Sequence, residues 1–205
     1  SQPASLSSHK VLRNTYALLA MTLLFSGLMA GLSLAMQWPH PGLLLTLGGY
    51  FGLLFLTSRF RDSALGLVCV FALTGFMGYT LGPILNAYLA VPNGGQVVMT
   101  AMGATGAIFL GLSGYALTTR KDFSFMGRFL FIGMIVILLA IVANIFLEIP
   151  ALSLTISAVA VLVFSAYILY DISRIVNGGE TNYISATLSV YLSIYNVFVS
   201  LLNLL

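Results

Sequence analysis

The feature that most constrains this chain is a series of seven long apolar stretches, each with at most one charged residue. They lie at residues 14–36, 42–57, 64–89, 97–118, 125–147, 151–173 and 184–205. None shows the apolar–polar alternation of a membrane β-strand, and most have the length of a membrane-spanning helix. Within lipid every backbone polar group needs a partner inside the protein, so the stretches predict helices. We expect an all-α integral membrane protein with one seven-helix domain over residues 1–205 and a short N-terminal tail at 1–10.

Composition excludes a soluble fold for these stretches. The chain is 60% hydrophobic and 6% charged, whereas a soluble domain of ordinary composition carries about 25% charged residues. Thirteen charges in 205 residues cannot cover the surface of a globule in water. The expected surroundings are therefore a lipid bilayer. The net charge of +3 follows from membrane topology, and we expect no nucleic-acid partner.

The positive charges predict the orientation. Basic residues concentrate on the cytoplasmic side of membrane proteins. With a cytoplasmic N-terminus and seven spans, all eight basic residues of the chain fall on the inside. They are Lys10, Arg13, Arg59, Arg61, Arg120, Lys121, Arg128 and Arg174. An even number of spans would break this pattern. We therefore expect seven spans, a cytoplasmic N-terminus and a C-terminus on the other side.

Small residues within the spans predict close helix packing. Three glycine pairs have the i, i+4 spacing that lets helix backbones approach: Gly27/Gly31, Gly48/Gly52 and Gly78/Gly82. The fourth span is rich in Gly and Ala, which indicates that it is enclosed by neighbours. These signals also allow a pore or a hinge.

Proline in the third span raises a second question about packing. Pro83 frees a backbone carbonyl because proline has no N–H. We expect Asn86, one turn later, either to satisfy that carbonyl or to line a polar cavity. Asn196 in the seventh span is a second candidate for such a cavity.

The sequence lacks the residues that membrane enzymes need. Residues 111–114 read Gly-Leu-Ser-Gly, as in intramembrane serine proteases, but that chemistry needs a histidine base on another membrane helix. The two histidines are His9, in the expected tail, and His40, in a loop. We find no P-loop, no metal-ligand spacing and no paired carboxylates within the spans. The prediction is a non-enzymatic protein without a cofactor or bound metal.

One ionisable residue lies inside a span. Asp171 is about one turn from the predicted cytoplasmic end of the sixth span, and Arg174 shares its helix face at i, i+3. One interpretation is an interfacial ion pair, with Arg174 reaching to the headgroups. The other is a titratable gate, because a carboxylate in the membrane is costly unless paired. Arg59 and Arg61 are the other available basic partners.

Several segments together resemble the transmembrane Bax-inhibitor-motif family, including its bacterial members. The resemblance extends over nearly the whole chain, and the order and spacing of the segments make it specific. They are SHKVLRNTY at 8–16, TGFMG at 74–78, GPILN at 82–86, ALTTRKDFSF at 116–125, LYD at 169–171, GGETNYI at 178–184 and YLSIYNVF at 191–198.

The resemblance implies a fold and one activity. The fold has a central last helix wrapped by the other six. Some members conduct a pH-sensitive calcium leak that depends on two aspartates and an arginine of the second span. Asp171 matches the first aspartate and Arg59 or Arg61 the arginine, but Ser193 stands where the second aspartate is expected. Two carboxylates sharing a proton titrate near neutral pH, whereas Asp171 beside a basic partner, with Ser193 donating a hydrogen bond, is expected to stay ionised.

The resemblance to a bacterial inner-membrane branch of the family implies a different role. Members of that branch associate with a membrane-anchored AAA+ protease of the FtsH type. The sequence thus leaves two hypotheses: a modulator of this protease complex in the bacterial inner membrane, and a calcium or cation leak channel gated through Asp171. We favour the modulator, because Ser193 breaks the acidic pair. In the channel hypothesis, calcium is the transported ion.

Overall fold

The fold is all-helical over the residues that the structure describes. A computed structural model describes the backbone over residues 2–205 and the side chains over 6–205. The seven helices are α1 (Gln2–Ala35), α2 (Leu43–Arg59), α3 (Ala64–Leu89), α4 (Gly94–Thr119), α5 (Gly127–Leu147), α6 (Pro150–Val176) and α7 (Tyr183–Leu204). A short 3-10 turn at Ser124–Met126 precedes α5. The predicted number and order of helices are confirmed.

Three of the helix ends lie at a proline or a glycine. Pro150 occupies the first turn of α6, where its missing N–H costs no hydrogen bond. Gly42, before α2, and Gly178, after α6, have φ angles of 97° and 81°. Such left-handed angles are easily adopted only by glycine. The turns inferred from the sequence therefore lie where the backbone changes direction.

Six of the seven helices are long and apolar enough to cross a membrane. The exception is α2, which has 17 residues and so a length of about 26 Å at 1.5 Å per residue. This is slightly less than a hydrocarbon core of about 30 Å, so a bilayer would have to thin locally around α2. The predicted second stretch, at 42–57, is likewise the shortest of the seven.

The described N-terminal residues continue the first helix, and their position outside the membrane stays a prediction. The expected tail at 1–10 is not a separate segment within the described residues, because α1 is helical from Gln2. A candidate membrane span lies within residues 6–35 of this helix. Helix continuation is reasonable here because residues 4–15 contain no proline or glycine.

The helices form two compact units. One contains residues 10–98 and 181–191, and the other contains residues 1–9, 99–180 and 192–205. Helices α1, α4 and α7 contribute residues to both units. The single domain and the central position of the last helix stay predictions.

In the first unit, α1 packs closely against α3 at the predicted glycines. A Cβ atom on Gly78 would overlap the Ser26 backbone carbonyl, and one on Gly82 would overlap the Ser33 hydroxyl. Because only glycine permits this approach, the packing prediction for Gly78 and Gly82 is confirmed. For Gly27/Gly31 and Gly48/Gly52 it is wrong: an added Cβ atom would meet no atom within 4 Å at any of the four.

In the second unit, α4 is less enclosed than its small residues suggested. Its buried face carries Ala101, Thr105, Ser113 and Ala116. A Cβ atom on Gly103 or Gly111 would meet nothing within 4 Å. The predicted enclosure of α4 is therefore wrong. Small residues permit close packing but do not require it, and in a membrane an unpacked small-residue face lies against lipid at little cost.

Candidate functional site

Asp171 is buried in α6 among isoleucines. Its side chain is 7% exposed, and it is the one charged residue in the buried class over the part of the chain that the structure describes. Ile168, Ile172 and Ile175 on the same helix are each at most 2% exposed. Burial of a carboxylate is costly unless it has a partner, and Asp171 does take part in an interaction inside the protein. The sequence predicted that Asp171 lies inside a span, and this residue is buried in the structure; its role as a gate stays a prediction.

Arg174 interacts with the segment that follows α6. Its guanidinium is 4.0 Å from the Glu180 carboxylate and donates a hydrogen bond of 3.2 Å to the Gly179 carbonyl. It also lies over the Tyr170 ring, 5.6 Å from the ring centroid. The interaction with Glu180 is partly exposed and so contributes little stability, about 0–1 kcal/mol. An ion pair between Arg174 and Asp171 stays a prediction.

Arg59 and Arg61 lie at the junction of α2 and α3, and both side chains are exposed. The Arg59 guanidinium is 5.8 Å from the centroid of the Phe60 ring. The Arg61 carbonyl accepts a hydrogen bond of 3.1 Å from the Asn182 amide. The suggested pairing of either arginine with Asp171 stays a prediction.

Asn182 links this junction to the start of α7. Its amide also donates to the Asp62 carboxylate at 2.9 Å, and its side-chain oxygen accepts from the Ser185 backbone N–H at 2.9 Å. The second bond is a typical N-cap, with asparagine immediately before the helix. Residue-level reasoning from the sequence missed this role, although asparagine before an apolar helix is the signal for it.

The two polar candidates on α7 are differently placed. Ser193 is buried, at 4% exposed. Asn196 is half-buried, and its amide donates a hydrogen bond of 2.7 Å to the Leu192 carbonyl of its own helix. That bond satisfies one amide hydrogen without a polar cavity. A hydrogen bond from Ser193 to Asp171 and a pore role for Asn196 stay predictions.

The carbonyl that Pro83 leaves free is satisfied by α1 instead of by Asn86. In a continuous helix the N–H of residue 83 would bond the Tyr79 carbonyl, four residues earlier. In its place the Ser33 hydroxyl donates a hydrogen bond of 2.9 Å to this carbonyl. The expectation that Asn86 would satisfy it is wrong, since Asn86 lies near the end of α3 and the donor comes from α1. Its role as a polar-cavity residue stays a prediction.

A buried polar cluster, which the sequence did not reveal, joins α7 to α1 and α3. The Tyr191 hydroxyl is 2.5 Å from the Ser26 hydroxyl and donates to the Thr74 carbonyl at 3.4 Å. One turn earlier on α7, the Thr187 hydroxyl is 3.3 Å from the Thr15 carbonyl of α1. Tyr191 is 2% exposed, so these bonds lie in the apolar interior. They fix the orientation of the first half of α7.

A second cluster holds the loop between α4 and α5 against the end of α6. The Ser173 hydroxyl accepts from the Phe123 backbone N–H at 3.0 Å and donates to the Lys121 carbonyl at 2.8 Å. The Asn177 amide donates to the same carbonyl at 3.2 Å. Ser173 is fully buried. The loop is therefore held by side chains of α6 as well as by its own turn.

The residues considered for enzymatic chemistry lie in separate elements. Ser113 of the Gly-Leu-Ser-Gly sequence is buried in α4. His40 lies in the loop before α2, where its Nδ1 accepts a hydrogen bond of 3.0 Å from the Gly42 N–H. Over the described residues, no group of three His, Cys, Asp or Glu side chains could hold a metal ion.

Comparison with known proteins gives one consistent result. The family described as "Inhibitor of apoptosis-promoting Bax1" matches residues 8–205. An uncharacterised protein of Pseudomonas aeruginosa is 57% identical over 95% of this chain and 87% of its own length. The "Modulator of FtsH protease YccA" of Escherichia coli K12 is 54% identical over 98% of this chain and 91% of its own length. An uncharacterised membrane protein of Vibrio cholerae is 50% identical over the same shares.

Proposed function

This chain belongs to the Bax-inhibitor family, and from that premise we propose that it modulates an FtsH-type protease in the bacterial inner membrane. The observation that carries the proposal is the 54% identity, over 98% of the chain, to a protein named for modulation of that protease. The same protein from a second Escherichia coli strain is named as an inner membrane protein. The partner would be the membrane-anchored AAA+ protease complex, and the role is non-enzymatic and needs no cofactor.

Two features of the structure support an interaction role. Six of the helices are long and apolar enough to cross a membrane, and many of their large apolar side chains are exposed on the surface of the protein. Some of the buried polar groups, such as those of Ser33 and Tyr191, make hydrogen bonds between helices. Such groups hold helices in place. A role that depends on a defined membrane surface, presented to a partner, is consistent with this arrangement.

The proposed orientation has a cytoplasmic N-terminus and a C-terminus in the periplasm. It is supported by the basic residues, which lie at the start of α1, between α2 and α3, between α4 and α5, and near the end of α6. In a seven-span topology these four places are on one side of the membrane, as the positive-inside rule requires.

The test is degradation of a membrane substrate by FtsH in proteoliposomes with and without this chain. We expect the chain to change the degradation rate and to co-purify with FtsH in mild detergent. An unrelated seven-helix protein at the same protein-to-lipid ratio controls for crowding in the bilayer. An unchanged rate together with no co-purification would refute the proposal.

A cation leak through Asp171 is the second candidate, and burial of this carboxylate in α6 is the observation that favours it. The test is calcium flux into proteoliposomes of the purified protein at pH 6 and pH 8. If Asp171 serves the leak, Asp171→Asn changes the flux or its pH dependence. Asp122→Asn is a matched control, because Asp122 is an exposed carboxylate outside the spans. Flux equal to that of empty liposomes would exclude this function.

A further inference from the structure

The segment at residues 120–128, between α4 and α5, is held in one conformation. Its Lys121 carbonyl and Phe123 N–H are bound by Ser173, as described above, and Asn177 also donates to the carbonyl. Within the segment, the Asp122 carboxylate accepts a hydrogen bond of 2.9 Å from the Ser124 N–H. The backbone of this segment would therefore lose little further freedom when a ligand binds, which favours binding.

The segment carries positive charge without matching acidic partners. It has three basic residues, Arg120, Lys121 and Arg128, against one acidic residue, Asp122, which gives a net charge of +2. Over the described side chains, the structure gives none of these three cations a carboxylate within 4.0 Å, whereas Arg174 on neighbouring α6 has Glu180. The carboxylate of Asp122 is already engaged with Ser124. The charge of this segment is therefore available to an external anion.

Exposed aromatic side chains accompany these cations. Phe125 is 70% exposed and Phe129, in the first turn of α5, is 79% exposed. The Phe125 ring lies 6.2 Å from the ring of Phe123, which is in the held loop. Phenylalanine rings exposed beside the end of a span favour the boundary between headgroups and acyl chains, as they do on membrane-surface helices. Cations and lipid-facing aromatic rings thus occur within one short segment.

From this combination we propose that the segment at 120–128 binds the phosphate of an anionic phospholipid, with an acyl chain against Phe125 and Phe129. The N-terminal end of α5 adds the positive end of its helix dipole, although the Gly127 N–H is already bonded to the Ser124 carbonyl. Basic residues clustered at the end of a span attract anionic lipid headgroups. A free phosphate would use the cations but would gain nothing from the phenylalanines.

The test is native mass spectrometry of the protein, purified in detergent and given equal amounts of phosphatidylglycerol and phosphatidylcholine. We expect bound phosphatidylglycerol to be retained in preference to phosphatidylcholine. Arg120→Gln/Lys121→Gln should weaken phosphatidylglycerol retention by about fivefold for each charge removed, taking about 1 kcal/mol for each basic residue that lies at the bound headgroup. Lys10→Gln/Arg13→Gln is the matched control, because it also removes one lysine and one arginine, both exposed on α1. It should retain the lipid as the unmodified protein does.

Three results would overturn the proposal. One is equal retention of the two lipids, and another is equal loss in the two double variants. The third is full displacement of phosphatidylglycerol by millimolar inorganic phosphate, with no effect of Phe125→Ala, because this would indicate a site for free phosphate. If the double variant does not fold, Arg128→Gln alone should still lower retention by about fivefold. No loss in that single variant would count against the site.

Discussion

The hydrogen bond from Ser33 to the Tyr79 carbonyl should stabilise the protein mainly because Pro83 is present. Proline removes the N–H that would otherwise satisfy this carbonyl. Ser33 is 1% exposed and its hydroxyl is 2.9 Å from the carbonyl oxygen. Ser33→Ala therefore leaves a carbonyl without its donor in the protein interior. We expect this change to lower the free energy of unfolding.

The loss of unfolding free energy caused by Ser33→Ala should differ between the protein with Pro83 and a Pro83→Ala variant. Leaving a buried polar group unsatisfied costs about 1–3 kcal/mol in soluble proteins, and hydrogen bonds between membrane helices average about 0.6 kcal/mol with a maximum near 1.7 kcal/mol. We expect about 1–1.5 kcal/mol for Ser33→Ala when Pro83 is present. In a Pro83→Ala background, the new N–H of residue 83 can bond the Tyr79 carbonyl, and the cost should fall below about 0.5 kcal/mol.

The assay is unfolding in mixed micelles by addition of sodium dodecyl sulfate, followed by tryptophan fluorescence. Trp38 is the single tryptophan of the chain, and its ring is 5.5 Å from that of Tyr79, so it reports on this region. The four proteins of the double-mutant cycle give the coupling between residues 33 and 83. The expected coupling of about 1 kcal/mol exceeds the deviation of about 0.3–0.5 kcal/mol seen for independent sites.

Additivity would refute this reasoning. If Ser33→Ala costs the same free energy with Pro83 present and in the Pro83→Ala background, the serine stabilises the protein by some means other than replacing the missing N–H. A negligible cost in both backgrounds would show that the carbonyl is solvated by water.

Three further predictions use the same unfolding assay or hydrogen exchange. Gly78→Ala should lower the free energy of unfolding by about 1–3 kcal/mol, because the new Cβ atom would overlap the Ser26 carbonyl. Gly27→Ala, where a Cβ atom meets nothing within 4 Å, should be neutral or stabilising by up to about 1 kcal/mol. Equal effects of the two changes would contradict the packing of α1 against α3. Tyr191→Phe should lower the free energy of unfolding by about 1–2 kcal/mol, because it removes the hydroxyl that contacts Ser26 and Thr74. Tyr115→Phe, at an exposed residue, should have no measurable effect. A neutral Tyr191→Phe would disprove the stabilising role of the cluster. Hydrogen bonds from Ser124 lower the pKa of Asp122 from its ordinary value of 3.8, and the bond from the backbone N–H has a larger effect than the bond from the side chain. The stabilisation of the turn by the ionised Asp122 should therefore be complete above pH 3.8 and lost as pH falls through the lower pKa of the folded state. The loss should be seen as faster hydrogen exchange of the Ser124 amide. Asp122→Asn should remove this pH dependence, and a pH dependence that persists in the variant would belong to another group.

Much of the fold could be predicted from the sequence, because lipid leaves few choices. A stretch of about 20 apolar residues within a bilayer has to be helical, since its backbone has no water to bond. Pro150 and Gly178 then set where α6 begins and where the chain turns after it. Asp171 could be identified as the buried ionisable residue because few charged residues lie inside a span at all.

The partners of the polar residues could not be predicted, and the reason is geometric. Helical periodicity shows which residues share a face, but in a membrane both the packed faces and the lipid-facing faces are apolar. The pattern therefore could not distinguish Gly78 and Gly82, which contact α1, from Gly48 and Gly52, where an added Cβ atom would meet nothing within 4 Å.

Asn86 is close to Pro83 in sequence, and yet the donor to the free carbonyl is Ser33, 46 residues from Tyr79 along the chain. The sequence by itself determined the helices, their limits apart from the start of α1, and the placement of most basic residues near the helix ends. Only the tertiary structure decided which helix faces meet, and hence that Ser33 replaces the missing N–H and that Tyr191 joins α7 to α1 and α3. The physical reason is that helix formation is local, whereas a hydrogen bond between helices depends on where distant parts of the chain are packed.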